Sequence, residues 1–214
     1  MKLYGYWRSI ASFRVRIALN SKGIESEYVY LNLAHGDQCT DDYRAINPQM
    51  VVPTLDDGGE PLFQSLAIIE YLDETHPDPP LLPEDPRGRA RVRGLAQIVT
   101  SDAHPLIVPR IRNYLTDVLK VGDAERLAWI QRWMSEGLRA IEANLAKSQA
   151  TGRFCHGDRP TLADICLVPQ VAGSQMFDCP MEAYPTAMRI FEAGMRIDAF
   201  VRAHPRNQPD YEPE

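Results

Sequence analysis

The stretch INPQMVVPTLDDGGEPLFQS, residues 46–65, decides how the first part of the chain folds. Val52-Pro53 stands directly before a predicted β-hairpin, whose strands we place at residues 54–56 and 61–63. The two glycines between these strands supply the positive backbone angles that tight turns need. An X-Pro bond, a hairpin and the start of a helix therefore follow one another in this stretch.

The segment before this stretch has the pattern of a strand, a helix and a second strand. Residues 3–6 predict a short strand, and residues 27–33 predict another because β-favouring side chains alternate there. Between them Ser9 is placed to cap a helix that Gly23 ends. A strand, a helix and a strand in this order form a parallel pair. After the hairpin, residues 64–75 carry an apolar stripe and predict a further helix.

This order of elements is the layout of a thioredoxin-like fold. Such a fold keeps one proline in the cis form, and Val52-Pro53 is the predicted position. The bend would present the backbone of Val52 to a peptide-like ligand. The alternative is an ordinary trans turn proline, since X-Pro bonds are cis in only about 5–6% of folded cases.

A proline-rich connector divides the chain into two predicted domains. The run HPDPPLLPEDP, residues 76–86, holds five prolines and is incompatible with a regular helix. We therefore place an α/β domain at residues 1–78 and an all-α domain at residues 87–214. Helical periodicity predicts helices at residues 88–119 (interrupted at Pro105 and Pro109), 124–147, 162–171 and 186–197, and the polar tail after Pro205 is predicted to be an extended strap.

The composition excludes several classes of function. The 214 residues carry a formal net charge of -6, and no basic run offers a polyanion a binding patch, so we expect no nucleic acid. Neither a leader nor a run of about 18 apolar residues is present, so we expect a cytoplasmic protein that does not bind membranes. No zinc or dithiol motif is formed by the four widely spaced cysteines, Cys39, Cys155, Cys166 and Cys179.

Four blocks of sequence together resemble zeta-class glutathione transferases, the class that includes maleylacetoacetate and maleylpyruvate isomerases. The resemblance implies a thioredoxin-like glutathione-binding domain, an all-α substrate-pocket domain, glutathione as cofactor and a homodimer. It covers almost the whole chain. The blocks are SFRVRIALNSKGIESEY (12–28), INPQMVVPTLDDGG (46–59), FQSLAIIEYLDETHP (63–77) and TLADICLVPQVA (161–172).

The resemblance implies that Gln64-Ser65 binds the γ-glutamyl end of glutathione. A serine at a helix start offers its hydroxyl and unpaired backbone N–H groups to a carboxylate, and the helix dipole assists. A plain N-cap serine is the alternative, because a cap and an anion site share one geometry. Val52 and Pro53 are further implied contacts, and His104 resembles a glutathione contact of the maleylpyruvate isomerase branch.

Ser9 matches the first serine of the family's Ser-Ser-Cys signature and would lie beside the glutathione sulfur. Lowering a thiol pKa from near 8.5 by about two units requires roughly 2.7 kcal/mol. One donated hydroxyl hydrogen bond to a charged partner contributes about 1.5–3 kcal/mol and a helix start about 0.3–1. The alternative is a simple helix cap. Ile10 and Ala11 replace the second serine and the cysteine, so the site has fewer donors than the family signature.

The reaction that the resemblance implies needs cations for the substrate carboxylates and the developing enolate. Arg8, directly before Ser9, is placed to be one. Arg110 resembles a substrate-binding arginine of the maleylpyruvate isomerase branch. The alternatives are a solvated arginine at either position and a packed histidine at His104. Met176 stands where relatives commonly have an arginine, which weakens the case for a second carboxylate contact.

Arg14 and Arg16 are two residues apart on one helix and cannot share a face. Arg14 is a candidate to line the cleft, with Arg16 solvated or paired, and surface salt bridges are the alternative for both. The pattern from Thr161 to Asp164 is a capping box, which we assign to folding rather than to catalysis.

Three functions stay open at this point. The first is glutathione-dependent cis–trans isomerisation of maleylacetoacetate or maleylpyruvate in aromatic or tyrosine degradation. The second is a glutathione transferase that conjugates or dehalogenates small α-halo acids. The third is a protein that binds glutathione without turnover, for which Ile10, Ala11 and Met176 are the sequence arguments.

Overall fold

The computed structural model describes residues 1–213 and divides them into two compact units. The first unit is Met1–Pro80 together with the chain from Met195 onward, and the second is Leu81–Gly194. Within the described residues, no helix is long and apolar enough to cross a membrane.

A four-stranded mixed sheet is the centre of the first unit. Its order is β2-β1-β3-β4, with β1 parallel to β2 and the other two pairs antiparallel. The predicted parallel pair and the predicted hairpin are therefore confirmed. The strands are β1 (Lys2–Gly5), β2 (Glu27–Tyr30), β3 (Thr54–Asp56) and β4 (Leu62–Phe63).

Two helices connect these strands and a third follows the last one, and the caps of the first helix match the prediction. They are α1 (Ile10–Lys22), α2 (Asp41–Ile46) and α3 (Ser65–Thr75). The Oγ of Ser9 accepts a hydrogen bond from the Ser12 N–H at 3.1 Å, which satisfies one donor of the first turn. Gly23 ends α1 in the left-handed conformation at φ 65°, which a glycine adopts without steric cost.

The Val52-Pro53 peptide bond is cis, as predicted. Two side chains hold the segment before it, because the carbonyl of Val51 accepts from the Tyr43 hydroxyl at 2.7 Å and from the Asn47 side-chain amide at 2.9 Å. The same two side chains also bond the hydroxyl of Thr54 at the start of β3. Four hydrogen bonds, two of them buried, thus fix the chain between α2 and β3.

The second unit is helical, as predicted, and its first predicted helix is interrupted at Pro105 and Pro109, as expected, and changes again after Asn113. A π-helical segment, Ile98–Ala103, and a 3-10 turn, His104–Leu106, separate α4 from α5, and a second π-helical segment, Tyr114–Val118, follows α5. The helices are α4 (Pro86–Gln97), α5 (Pro109–Asn113), α6 (Asp123–Ala146), α7 (Leu162–Met176) and α8 (Pro185–Gly194).

The capping box of α7 is present and buried. Asp164 accepts hydrogen bonds from the N–H groups of Thr161 and Cys155 and from the Thr161 hydroxyl, all at 2.8 Å. Burial raises the pKa of the Asp164 carboxyl, and these donors oppose the rise. The side chain therefore joins the start of α7 to the loop before it, in agreement with a role in folding.

The predicted all-α domain at residues 87–214 includes the C-terminal tail, but the structure groups this tail differently. The tail forms a ninth helix, α9 (Asp198–Ala203), and a 3-10 turn, Pro205–Asn207, and it groups with the first unit instead of the helical one. The physical reason is packing against α1, where Phe200 is buried and the Asn20 side chain donates to the carbonyl of Ala199 at 3.0 Å. The strap is therefore partly helical.

His204 makes the stability of this tail depend on pH. Its Nδ1 accepts from the Arg206 N–H at 3.3 Å, and its ring packs edge-on against Phe13. Burial, followed by the charges of Arg206 and Arg16, lowers the pKa of His204 below its usual value. The folded state is therefore expected to bind the proton at His204 more weakly than the unfolded chain does, so the contribution of His204 to stability declines as the pH falls below about 6.5.

We expect urea unfolding to give a smaller free energy of unfolding at pH 5 than at pH 7, with part of the decline caused by His204. The variant His204→Asn keeps a side-chain acceptor and does not titrate, so its decline should be smaller. Equal declines in the two proteins would show that His204 does not contribute.

Candidate active site

The start of α3 has the properties of an anion site. Gln64, the residue before the helix, has φ 69°, which is uncommon outside glycine and is often found at functional sites. No side chain of the described residues caps this helix end, so its first N–H groups lack a cap partner. Ser65 is the first helical residue and is only 7% exposed. A carboxylate here would meet N–H donors, a hydroxyl and the positive end of the helix dipole.

A buried arginine lies directly behind this helix start. Nη1 of Arg14 donates to the Ser65 Oγ at 3.3 Å, and Arg14 is 1% exposed. A cation at this distance orients the serine hydroxyl and makes the local potential more positive. The alternative of a surface salt bridge is wrong for Arg14.

Arg16 is also buried, at 5% exposure, so a solvated side chain or a surface salt bridge is wrong for it as well. The reason is that α1 packs between α3 and α9, which covers both of its faces. The apolar pattern of one helix predicts its own buried face, but it does not show that two other helices pack against it. The other half of the expectation, that Arg16 is paired, is confirmed, because its guanidinium donates to backbone carbonyls and to the Tyr28 hydroxyl.

The register of the sheet places three predicted segments at one end. Thr54 of β3 lies opposite Tyr4 of β1 on one side and opposite Phe63 of β4 on the other. The segments that follow Tyr4 and Phe63 and the segment that precedes Thr54 therefore leave the sheet at the same end. The three segments are the loop of residues 6–9, the Val52-Pro53 peptide and Gln64-Ser65. The structure thus brings together five of the predicted site residues of the first unit: Ser9, Val52, Pro53, Gln64 and Ser65.

Ser9 is both a helix cap and an available donor. Its Oγ accepts from the Ser12 N–H, and a hydroxyl that accepts still has its own hydrogen to donate. The side chain is half-buried, whereas Ile10 and Ala11 are each buried. The cap that was the alternative interpretation is therefore present, and it leaves the hydroxyl hydrogen available to a ligand.

Arg8 belongs to the same loop. Its guanidinium lies over the ring of Trp7, 5.9 Å from the ring centroid, and the side chain is half-buried. Stacking of this kind holds an arginine in place without removing its charge. Arg8 is therefore a positive group one residue from Ser9.

The other predicted residues lie in the second unit. His104 is half-buried in the 3-10 turn, whose Leu106 carbonyl accepts from the Trp129 indole at 2.8 Å. Arg110 is exposed in the first turn of α5. Met176 ends α7. Among residues 1–213, no three His, Cys, Asp or Glu side chains form a possible metal site.

Sequence reasoning missed Asp210, whose Oδ2 accepts from the Trp7 N–H at 2.9 Å. The two residues are 203 positions apart. Asp210 lies in a polar, proline-containing tail without periodicity, and no local signal in such a tail indicates a long-range contact.

Comparison with known proteins places this geometry in a family. Residues 1–74 match the model of the glutathione S-transferase N-terminal domain. The chain is 47% identical over 210 residues to a maleylpyruvate isomerase of a Ralstonia species, with 98% of this chain and 99% of the relative covered.

Solved structures agree along the full length. The holo structure of a maleylpyruvate isomerase, described as a bacterial zeta-class glutathione S-transferase, has a TM-score of 0.97 at 46% identity, covering 99% of this chain and 100% of that one. A maleylacetoacetate isomerase of Methylobacterium extorquens AM1, with bound malonate and glutathione, has a TM-score of 0.98 at 49% identity and full coverage of both chains. The fold, the site geometry and these similarities establish that the chain belongs to the zeta class of the glutathione S-transferase family.

Proposed function

We propose that this chain is a glutathione-dependent cis–trans isomerase that acts on maleylpyruvate or maleylacetoacetate in the degradation of aromatic compounds. The observation that carries the proposal is the meeting of three segments at one sheet end: the α3 start, the Val52-Pro53 peptide and the Ser9 loop. Relatives with these two activities in their names match the chain along nearly its whole length.

The α3 start fits the γ-glutamyl carboxylate of glutathione. The N–H groups of the first turn and the Ser65 hydroxyl donate to it, and Arg14 holds that hydroxyl from behind. A charge-assisted hydrogen bond contributes about 1.5–3 kcal/mol, roughly twice a neutral one. Val52 presents its backbone to the peptide part of the ligand. Pro53, Gln64 and His104 complete the set of proposed contacts.

When bound, glutathione supplies a thiolate that adds to the cis double bond and leaves again after rotation. Ser9 stabilises the thiolate by donating its hydroxyl hydrogen, and the start of α1 adds a favourable dipole. Together these contributions are of the size needed to ionise a thiol near neutral pH, about 2.7 kcal/mol. Ile10 and Ala11 offer no further donor, so Ser9 is the one hydroxyl left from the family signature.

Arg8 and Arg110 are the proposed cations for the acid substrate. Arg8 lies in the loop beside Ser9 and stabilises negative charge that develops on the substrate during the reaction. Arg110, in the second unit, binds a substrate carboxylate. Met176 contributes no charge at the end of α7.

The variant Arg110→Ala should raise the KM for maleylpyruvate about tenfold, because it removes one charge-assisted hydrogen bond. The turnover number and the KM for glutathione should stay close to wild type, since uniform binding changes KM alone. Steady-state kinetics measures all three. The matched control is Arg132→Ala, an exposed arginine on α6. A lower melting temperature with an unchanged KM would mean that Arg110 is structural.

The activity itself is tested by the loss of the cis-enol absorbance of maleylpyruvate, with and without glutathione. We expect rapid loss only when both the chain and glutathione are present. No change at high enzyme concentration would remove the isomerase proposal. Turnover of a small α-halo acid in its place would favour conjugation or dehalogenation, and retention on glutathione-agarose without any turnover would favour a binding protein.

We further propose that the chain is a cytoplasmic homodimer. The four cysteines are free, and a reducing compartment keeps thiols in this state. Sedimentation at micromolar concentration would report the mass of the assembly, and a monomer mass would contradict the dimer.

A further inference from the structure

The loop of residues 6–9 is held by hydrogen bonds from outside itself. The carbonyl of Tyr6 accepts from Nη1 of Arg16 and the carbonyl of Trp7 accepts from Nη2, both at 3.2 Å. The N–H of Trp7 donates to Oδ2 of Asp210 at 2.9 Å. Two side chains, those of Arg16 and Asp210, therefore bond three successive polar groups of this backbone, and the Tyr6 carbonyl also accepts from the Ser9 N–H at 3.0 Å.

One of these two side chains also binds the end of α9. Nε of Arg16 donates to the carbonyl of Ala203 at 3.0 Å, and Nη1 donates to the Tyr28 hydroxyl at 3.0 Å. Because the guanidinium is planar and rigid, its donors keep a constant geometry relative to one another. The position of the loop is therefore coupled to the position of the tail.

Ring packing strengthens this coupling. Trp7 is 5% exposed, and its ring meets that of Tyr211 edge-on, with centroids 5.0 Å apart. Edge-to-face packing is a preferred arrangement of aromatic rings and adds to the stabilisation that comes from their buried area. Trp7 thus contacts the tail through its backbone, by Asp210, and through its ring, by Tyr211.

We propose that Asp210 and Arg16 are positioning residues, and that the C-terminal segment fixes the loop that carries Arg8 and Ser9. This inference rests on the proposed function, because it concerns the placement of the Ser9 hydroxyl against the glutathione sulfur. Ile10 and Ala11 replace the second serine and the cysteine of the family signature. Neither position therefore offers a hydroxyl that could act in place of a displaced Ser9. A displacement of about 1 Å at a reacting group can cost on the order of a hundredfold in rate.

The direct test compares Asp210→Ala, which removes the acceptor for the Trp7 N–H, with Asp210→Asn, which keeps an oxygen there. We expect Asp210→Ala to lower kcat at least about fivefold and to raise the pKa of the bound glutathione thiol, followed by thiolate absorbance. The dissociation constant of glutathione should stay within about twofold, because the α3 start is unchanged. Asp210→Asn should restore most of kcat and should bring the pKa of the bound thiol back close to its wild-type value. Glu212→Ala, an exposed carboxylate of the same tail, is the control.

A wild-type kcat and thiol pKa in Asp210→Ala would overturn the inference, whatever its melting temperature. If that variant does not fold, Tyr211→Ala replaces it with the same expected directions, and wild-type values would again overturn the inference. Failure of the proposed function is a different result, because it would be seen in the wild-type chain. If the wild-type chain binds glutathione without isomerising, the thiol pKa alone decides the role of Asp210.

Discussion

Replacing Ser9 with alanine should lower the turnover number for maleylpyruvate at least about tenfold, because a donor worth about 1.5–3 kcal/mol to the thiolate is lost. The dissociation constant of glutathione should change by no more than a few-fold, since the role proposed for the hydroxyl is to act on the sulfur and not on the peptide arms. The variant should also raise the pKa of the bound thiol. Stopped-flow or steady-state absorbance gives the rate, and calorimetry gives the affinity.

Two further serine variants make this result specific to the thiolate. Ser9→Ala also removes the cap of α1, which costs about 0.5–2 kcal/mol of stability, so rates are compared well below the melting temperature. Ser9→Thr keeps both the hydroxyl and the cap and should retain most activity. Ser12→Ala, one turn along α1, is the control. Equal turnover in wild type and Ser9→Ala would mean that Ser9 is only a helix cap.

Replacing Ser65 with alanine should weaken glutathione binding by about tenfold to a hundredfold, which corresponds to one charge-assisted hydrogen bond of about 1.5–3 kcal/mol. Binding is not abolished, because the backbone N–H groups of α3 remain. At saturating glutathione the turnover number should stay near wild type, since the contact proposed for Ser65 is with the γ-glutamyl end. Isothermal calorimetry measures the affinity directly.

Thr40→Ala is the matched control for this prediction. Thr40 caps α2 through its Oγ1, 3.4 Å from the Tyr43 nitrogen, so its loss lowers stability without touching the α3 start. We expect this control to bind glutathione like the wild-type chain. Unchanged affinity in Ser65→Ala would refute the anion site at the start of α3.

Local signals were sufficient to predict most of the first unit. The strands, the α1 cap at Ser9 and the C-cap at Gly23 follow from side-chain chemistry within a few residues. The hairpin follows from Gly58 and Gly59. The cis bond and the meeting of the three segments at one sheet end did not follow from local signals but were implied by the thioredoxin-like order of elements and by the family resemblance.

Contacts between distant residues were not predictable in the same way. The burial of Arg14 and Arg16 depends on α1 being covered by both α3 and α9. The association of the tail with the first unit depends on single contacts such as the one between Asp210 and Trp7. Neither feature has a period or a turn motif that a sequence pattern could reveal.

The second unit shows a related limit. The π-helical segments Ile98–Ala103 and Tyr114–Val118 shift the register of the chain on either side of His104 and Arg110. A helical pattern with two prolines predicts an interruption but not the new register. The directions of His104 and Arg110 therefore could not follow from their spacing in the sequence.

The most direct test of the central claim is a crystal structure of the chain grown with glutathione. We expect the γ-glutamyl carboxylate within hydrogen-bond distance of the Ser65 N–H and Oγ, and the cysteinyl backbone paired with that of Val52. The sulfur should lie within about 3.5 Å of the Ser9 Oγ. Glutathione bound elsewhere would contradict the proposed site. A sulfur remote from Ser9, with Asp210 and Tyr211 still in contact with Trp7, would contradict it as well.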